Sequence, residues 1–218
     1  NIVPLSTKPA CEVTAQDFGS YRASGNLPLL EQSRENRAKL IRKNGIIVDI
    51  GAFDGKHLVQ LDQEGFNVIG FEPGKKLFSK ITSDIKGSTK IKMYNVGIGK
   101  KNGTACLSST SDASNIRTNN QCKSNEEDVK LIDIQTALAL MGEEVDLLQI
   151  NCETCEDVIV EQIMQHKISL AHIKRLDIQF HLFKPGSEDL YCKFQEYMLR
   201  SHKIAWKYDR IWISFERK

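Results

Sequence analysis

The sequence has little of what would mark several common classes of protein. No apolar run approaches the roughly 20 residues that cross a membrane. The net charge is only +2, which by itself does not indicate a nucleic-acid partner. With 40% hydrophobic and 27% charged residues, the 218-residue chain has the composition of an ordinary folded domain. It begins without Met or a signal-peptide pattern, and we expect it to be part of a longer polypeptide.

The six cysteines also lack the arrangement of a metal site. Only Cys152 and Cys155 lie close together, and no second pair of Cys or His ligands has a similar spacing. A thioredoxin-like redox pair would open a helix after an early strand, a context that we do not expect here. We therefore predict that the protein holds no metal, that its thiols are reduced, and that it is cytoplasmic.

One stretch, Ile46 to Gly55, organises the rest of the pattern. It opens with an apolar, β-branched run that is typical of a strand buried on both faces. The run breaks at Asp49-Ile50-Gly51, and Gly55 precedes a stretch that predicts a helix. A side chain at either glycine would keep the backbone away from a bound nucleoside. The stretch therefore predicts the first half of a βαβ unit.

The segment Asn67 to Pro73 predicts a second short, buried strand that ends in an acidic residue, Glu72. In nucleoside-binding α/β folds, a carboxylate at this position accepts hydrogen bonds from the ribose hydroxyls. Glu72 follows Gly51 by 21 residues, close to the expected spacing of about 20. The first turn, G-A-F-D-G, lacks the G-x-G-x-x-G pattern that holds a pyrophosphate. A ligand with a ribose and no phosphate fits better, and S-adenosylmethionine is the common one.

The remaining pattern predicts an α/β domain over residues 28–218, after a lead-in or linker over residues 1–27. Strands and helices alternate as far as a C-terminal hairpin around residues 209–210, so we expect a mostly parallel sheet with one antiparallel strand. Residues 108–128 are rich in Ser, Asn, Asp and Lys. An insertion of this length is usually functional, and we predict a flap over the acceptor site.

Four segments in order resemble the FkbM-type S-adenosylmethionine-dependent methyltransferases. They are Val-Asp-Ile-Gly-Ala-Phe-Asp-Gly at 48–55, Gly-Phe-Glu-Pro at 70–73, Asn-Val-Gly-Ile-Gly with Lys-Asn-Gly at 95–103, and Val-Asp-Leu-Leu-Gln-Ile-Asn-Cys-Glu-Thr-Cys-Glu at 145–156. The resemblance covers residues 40–183. It implies a Rossmann-like class I methyltransferase fold, with a mostly parallel seven-stranded sheet, an antiparallel C-terminal strand and helices on both faces.

The resemblance also implies a set of site residues at the glycine turn and the strand ends. Those expected to bind the cofactor are Asp49, Gly51, Ala52, Phe53, Gly55, Glu72, Pro73, Asn95, Val96 and Asn151. A hydroxyl acceptor loses its proton as it attacks the methyl group, so we expect one base nearby. The candidates are Glu153, His181 and, less well placed, Asp177. Glu153 could instead serve the helix dipole, and His181 could be a packing residue.

The last of the four segments departs from the family's pattern at Gln149, Asn151 and Thr154, where Lys, Asp and Gly are usual. An amide does not accept a proton at neutral pH, so Asn151 cannot act as a base or replace an acidic metal ligand. A non-catalytic binding module that keeps the fold is therefore one alternative to an enzyme.

The resemblance favours O-methylation of a sugar hydroxyl, for example on a terminal, rhamnose-like deoxysugar of a glycan. Glycosyltransferases of the same polypeptide are the expected partner domains. The strand ends carry groups that bind polyols, and only 7% of residues are aromatic. A ribose 2′-O-methyltransferase acting on nucleic acid is the other alternative. The basic residues between Arg34 and Lys43 would suit it, but no aromatic-basic RNA motif accompanies them, which disfavours a nucleic-acid partner.

Overall fold

The computed structural model describes residues 37–110, 113–117, 121–142, 144–153, 155–181, 186–208 and 211–218. Strands and helices alternate along most of this length. The strands are β1 (Ile46–Ile50), β2 (Asn67–Phe71), β3 (Ile91–Tyr94), β4 (Gly97–Ile98), β5 (Gly103–Thr110), β6 (Ala113–Arg117), β7 (Glu126–Ile132), β8 (Leu147–Ile150), β9 (Arg175–Gln179), β10 (His202–Tyr208) and β11 (Trp212–Arg217). The helices are α1 (Arg37–Leu40), α2 (Lys56–Gln63), α3 (Lys75–Asp84), α4 (Ile134–Met141), α5 (Cys155–Gln165) and α6 (Ser187–Met198).

The main sheet has seven strands in the order β10-β11-β9-β8-β1-β2-β3. The pairs β1–β2, β1–β8, β2–β3 and β8–β9 are parallel. Strand β11 runs antiparallel to both of its neighbours, β9 and β10. This arrangement confirms the predicted α/β class and the predicted antiparallel C-terminal strand. It brings the carboxyl ends of β1, β2 and β8 together at one edge of the sheet.

Strand β1 is buried on both faces, as its continuous apolar run predicts. Ile47, Val48 and Ile50 are each at most 2% exposed. Ile47 belongs to one core cluster with Leu58 of α2, whereas Val48 and Ile50 belong to a larger cluster that includes Ile159 of α5. The central strand of a parallel sheet needs apolar side chains on both faces because helices cover both.

The described residues of the predicted polar insertion, which are 108–110, 113–117 and 121–128, lie largely in strands. Strand β5 continues to Thr110, β6 follows, and β7 begins at Glu126; together with β4 they form a second sheet in the order β4-β7-β5-β6. A small apolar cluster holds the sheet together, formed by Ala105, Leu107, Val129, Leu131 and the half-buried Ile116. The parts of these strands within residues 108–128 were missed because Ser, Asn and Asp have low strand propensity, and packing outweighs that preference here.

The prediction of reduced thiols is wrong. Disulfides join Cys106 to Cys122 and Cys152 to Cys155, and Cys192 is disulfide-bonded as well. Cys152 follows β8 and Cys155 is the first residue of α5, so the closer pair lies at the start of a helix, but after a late strand of the chain rather than an early one. Stable disulfides are typical of oxidising compartments, which weighs against the predicted cytoplasmic location.

The N-terminal predictions lie outside the described residues. These are the lead-in over residues 1–27 and residues 28–36 of the predicted domain. Among the helices that the structure describes, none has the length and apolar character needed to span a membrane.

Candidate cofactor cleft and acceptor site

A cleft opens where β1, β2 and β8 end, and its volume is about 560 Å³ with its open mouth included. The apolar part of its wall consists of Ile50, Phe71, Leu77, Val96, Ile98, Leu107 and Ile116. Three polar side chains face it from the strand ends: Glu72 after β2, and Asn151 and Glu153 after β8. An apolar slot with a few placed polar groups is the usual form of a cofactor site.

The turn after β1 depends on Gly51. Its φ is +93°, and a Cβ there would lie only 2.0 Å from the backbone oxygen of Asn151. Its amide donates to the carbonyl oxygen of Phe71 at 3.0 Å. Any other residue would combine an unfavourable backbone conformation with a steric clash. The glycine therefore permits close contact between the ends of β1 and β8, and this contact shapes the floor of the cleft.

Glu72 is buried yet hydrogen-bonded. It is 5% exposed, and its two oxygens accept from the amides of Gly74 at 2.8 Å and Phe53 at 3.0 Å. Burial raises its pKa to about 7, although both amide bonds act in the opposite direction. The side-chain amide of Asn95 donates to the carbonyl oxygens of Glu72 and Pro73 at 2.9 Å and so fixes this turn.

Six of the ten residues predicted to bind the cofactor line the cleft, namely Gly51, Phe53, Glu72, Pro73, Val96 and Asn151. The other four do not line it. Asn95, Ala52 and Gly55 help to form the turns, the amide of Ala52 donating to Phe71 and that of Gly55 to Ala52. Asp49 is 3% exposed and accepts from Gln149 at 3.2 Å, with Nδ1 of His57 at 3.3 Å from its other oxygen.

Two carboxylates and a histidine meet at the other end of the cleft, and we name Glu153, Glu156 and His181 the acid–histidine cluster. Nδ1 of His181 lies 2.7 Å from Oε1 of Glu156, which also accepts from the His181 backbone amide at 2.8 Å. Nε2 lies 3.3 Å from Oε1 of Glu153. Glu156 is fully buried and the His181 side chain is 2% exposed, whereas the Glu153 side chain is 34% exposed and lines the cleft.

The cluster favours a protonated His181. Burial by itself lowers the pKa of this imidazole, but the hydrogen bond to Glu156 and the charges of Glu156, Glu153 and Asp157 outweigh it, so the pKa is raised. In the protonated form both ring nitrogens are donors, one toward each glutamate of the cluster. Protonated His181 can therefore donate to the half-buried carboxylate of Glu153 and favour its position at the cleft.

Only some residues of the acid–histidine cluster were predicted from the sequence. Glu153 and His181 were both candidates for the base, and the structure brings them together. Glu156 was missed, although it ends the last of the four family-like segments. Asp177 lies within β9 rather than at its end; it is 3% exposed, accepts from the Ser214 hydroxyl at 2.6 Å and does not line the cleft.

The cleft suits S-adenosylmethionine in its donors and acceptors. Glu72 offers the carboxylate that a ribose needs, and the apolar wall offers contact area for an adenine. Oδ1 of Asn151 is a buried side-chain oxygen without a hydrogen-bond partner among the residues that the structure describes, and the residue lines the cleft. A buried acceptor of this kind is costly unless a ligand or water satisfies it.

No group of residues near the cleft is arranged as a metal site in the part of the chain that the structure describes. The one close group of three possible ligands there is Cys106, Cys122 and Glu126, and a disulfide occupies both of its sulfurs. That the protein uses no metal remains a prediction.

No family model matches the sequence, and no curated protein matches it. Solved structures do match. A protein from Streptococcus mutans, described as a methyltransferase and bound to S-adenosylhomocysteine, is 11% identical, with a TM-score of 0.53 over 87% of this chain and 97% of that chain. An rRNA methylase from Streptococcus thermophilus is 11% identical, with a TM-score of 0.49 over 86% and 95% of the two chains.

A third structure, described as a tRNA (m1A22) methyltransferase of Streptococcus pneumoniae in complex with S-adenosylmethionine, is 14% identical, with a TM-score of 0.47 over 85% of this chain and 72% of that chain. At such identities the likeness concerns the fold, and only the first of the three is strong enough to carry that conclusion. The strand order of the main sheet agrees with it. The chain has the Rossmann-like class I methyltransferase fold.

Proposed function

We propose that the chain is an FkbM-type, S-adenosylmethionine-dependent methyltransferase that methylates a hydroxyl group of a sugar. One observation carries the proposal: a single cleft presents a buried carboxylate at the end of β2 and a second, half-buried carboxylate next to a buried histidine after the end of β8. The first suits a ribose, and the second suits a hydroxyl that must lose a proton.

At the cofactor end, the two oxygens of Glu72 accept the ribose hydroxyls, the apolar wall packs against the adenine, and Oδ1 of Asn151 accepts a hydrogen bond from the cofactor's polar end. S-adenosylmethionine supplies an electrophilic methyl group. The residues of the cleft hold the acceptor oxygen in line with it, and such positioning supplies much of the rate of a transfer of this kind.

At the acceptor end, Glu153 takes the proton of the attacking hydroxyl. Among the cluster residues it is the one whose side chain lines the cleft. His181 acts as a positioning residue behind it, held in turn by Glu156. A general base of this kind typically contributes a factor of about 10²–10⁴ to the rate.

The acceptor is a sugar, in our proposal a terminal, rhamnose-like deoxysugar of a glycan. Carboxylate and amide groups at the strand ends suit the hydroxyls of a polyol. Phe53, at 57% exposed, lines the same cleft and offers an aromatic surface for the apolar face of a sugar ring. Glycosyltransferases joined to this chain are the partner domains in this proposal, because they would supply the acceptor glycan.

A ribose hydroxyl of RNA is the second candidate acceptor, because the same carboxylate and histidine could deprotonate it. A non-catalytic module that binds the cofactor is the third possibility. These three differ in their products, and an acceptor screen therefore separates them.

The test has two stages. Calorimetry should show micromolar binding of S-adenosylmethionine and S-adenosylhomocysteine and no binding of NAD, with Glu72→Gln as the matched control. The protein is then incubated with labelled cofactor and with rhamnosides, other sugars, nucleosides or short RNA. Methylated sugar is the expected product. Methylated RNA would overturn the sugar assignment, binding without any product would favour the non-catalytic module, and absence of cofactor binding would overturn the proposal as a whole.

A further inference from the structure

The Cys152–Cys155 disulfide forms part of the cleft wall, and methyl transfer gives it no role. Both cysteines line the cleft, Cys152 just after β8 and Cys155 as the first residue of α5. The Cys106–Cys122 disulfide belongs to the second sheet, and neither of its cysteines lines the cleft. The Cys106–Cys122 disulfide can therefore serve as an internal control for the reduction of Cys152–Cys155.

We propose that the Cys152–Cys155 pair is a redox-modification site, which a dithiol reductant opens from the cleft and whose opening releases Glu153 from His181. The effect on methyl transfer rests on the proposed function. The opening of the disulfide and the movement of Glu153 do not, because both follow from the position of the pair.

The exchange reaction begins at Cys152, which is half-buried, whereas Cys155 is 8% exposed. A thiolate of the reductant bonds to the Cys152 sulfur, the Cys152–Cys155 bond breaks, and Cys155 leaves as a thiolate. The N-terminus of the 11-residue α5 stabilises that thiolate, and a more stable leaving thiolate departs faster. The second thiol of the reductant then displaces Cys152 and closes an internal disulfide. Two electrons pass to the protein, and each cysteine takes up one proton.

Reduction changes the hydrogen bonds of the acid–histidine cluster. The Cys152 sulfur lies 3.6 Å from Oε2 of Glu156, whose other oxygen holds Nδ1 of His181. As a thiol, Cys152 becomes a hydrogen-bond donor directed at this carboxylate. Glu156 then accepts a hydrogen bond from Cys152 as well as from His181. The redox state of the cysteines therefore affects the His181 imidazole through the side chain of Glu156.

The disulfide also constrains the backbone of Glu153. This residue lies between the two cysteines and has a φ of +51°, a left-handed conformation that is unfavourable for a residue other than glycine. The bond between the cysteines closes a short loop around it. Once that bond is broken, Glu153 can return to a right-handed or extended conformation, and its carboxylate then leaves its position 3.3 Å from Nε2 of His181.

The first experiment compares the two disulfides in the whole chain. The protein is incubated with graded dithiothreitol, its thiols are alkylated, and the peptides are identified by mass spectrometry. Cys152 and Cys155 should become alkylated at a dithiothreitol concentration at least tenfold below that needed for Cys106 and Cys122. Simultaneous reduction of the two pairs, or earlier reduction of Cys106–Cys122, would overturn the proposal.

The second experiment follows the histidine rings by NMR before and after selective reduction. The ring signals of His181 should shift, whereas those of His202, a buried histidine bonded to Ser201 and to the carbonyl of Ile173, should not. Cys152→Ser/Cys155→Ser should show the reduced signals without reductant, and the wild-type measurement is decisive even if that variant does not fold. Unchanged His181 signals after reduction would refute the redox proposal. If the oxidised protein does not bind the cofactor, only the proposed function is refuted.

Discussion

The two ends of the cleft each place one carboxylate in reach of a ligand, but they do so by different means. Glu72 is held by backbone amides from its own turn and from the neighbouring glycine turn. Glu153 faces a side chain from another strand end, which is held in turn by a helix residue. Backbone donors are fixed by the fold, whereas a cluster of side chains depends on several rotamers at once. The cofactor end should therefore tolerate change elsewhere in the chain, and the acceptor end should be sensitive to it.

The largest effect is expected at the acceptor end. Glu153→Gln should lower kcat about 10²–10⁴-fold with the acceptor identified by the screen, because an amide cannot take the proton. The dissociation constant of S-adenosylmethionine should stay within about twofold, since Glu72 is unchanged. His181→Asn should cost less, because that residue acts through Glu153. A greater loss in the His181 variant than in the Glu153 variant would make His181 the base.

The pH profile provides an independent check on the same assignment. The raised pKa of His181 means that it stays protonated to a higher pH than an ordinary histidine. If its imidazolium form holds Glu153 in place, kcat should fall as the pH rises through that pKa. If neutral His181 is itself the base, kcat should instead rise over the same range.

Gly51→Ala tests the close contact between the ends of β1 and β8, which lies between the two ends of the cleft. The new Cβ would meet the Asn151 oxygen at 2.0 Å and the backbone would remain at a φ of +93°. Gly87→Ala is the matched control, because its φ is +98° and nothing lies within 4 Å of the added Cβ. We expect the free energy of unfolding to fall by about 1 kcal/mol in the control and by about 3 kcal/mol in the Gly51 variant. Equal losses in urea denaturation would show that the β1–β8 contact adapts easily.

The cofactor end should respond to pH through Glu72. Its pKa of about 7 in the free protein means that the carboxylate is partly protonated near neutrality. Ribose hydroxyls favour the ionised form, so the affinity for S-adenosylmethionine should rise about tenfold between pH 6 and pH 8. Calorimetry of the parent and of Glu72→Gln checks this, and the same pH dependence in both proteins would rule out Glu72 as its source.

The raised pKa of Glu72 also makes the stability of the ligand-free protein depend on pH. This stability falls as the pH rises, whereas the affinity for the cofactor increases. The folded chain keeps the Glu72 proton up to a pH of about 7, while the unfolded chain loses it near 4.5. The contribution of this group to the free energy of unfolding is therefore fully present below pH 4.5 and is lost as the pH rises to about 7. Cofactor binding should remove this loss, because a bound ribose favours the carboxylate.

The smallest effect is expected from the second sheet. Ile116 and Leu107 pair across β5 and β6 and line the same cleft as Glu72. Ile116→Ala should weaken cofactor binding by about 1 kcal/mol, because the side chain is half-buried and loses apolar contact area. Lys130→Ala, on exposed β7 surface, is a control that should leave the affinity unchanged. If Ile116→Ala raises only the KM of the acceptor, this sheet is a flap over the acceptor, as the sequence predicts.

The comparison of the two ends also explains what could be predicted from sequence. Gly51 and Glu72 lie in two short local segments, each a strand followed by its own turn, and hydrophobic periodicity is sufficient to find them. The acid–histidine cluster joins a residue after β8, a residue of α5 and a residue after β9, and a single sequence does not show which strand ends become neighbours. The mostly parallel sheet with one antiparallel strand was predicted from the pattern and its seven strands from the family resemblance, whereas the order of the strands was not predicted. The strands within residues 108–128 and the disulfides were missed, because polar strands leave no clear periodicity and a single sequence does not show which cysteines pair.

The position of β11 has a consequence for how the sheet comes apart. In the described sheet, β10 is joined to the rest only through β11, which pairs with β9 on its other side. Any opening that separates β11 from β9 therefore releases both strands as one hairpin, while the cleft, built on β1, β2 and β8, keeps its walls. In native-state hydrogen exchange, the β10 amides should exchange no more slowly than those of β11. Binding of a ligand in the cleft should protect the amides of β1 and β8 far more than those of this hairpin.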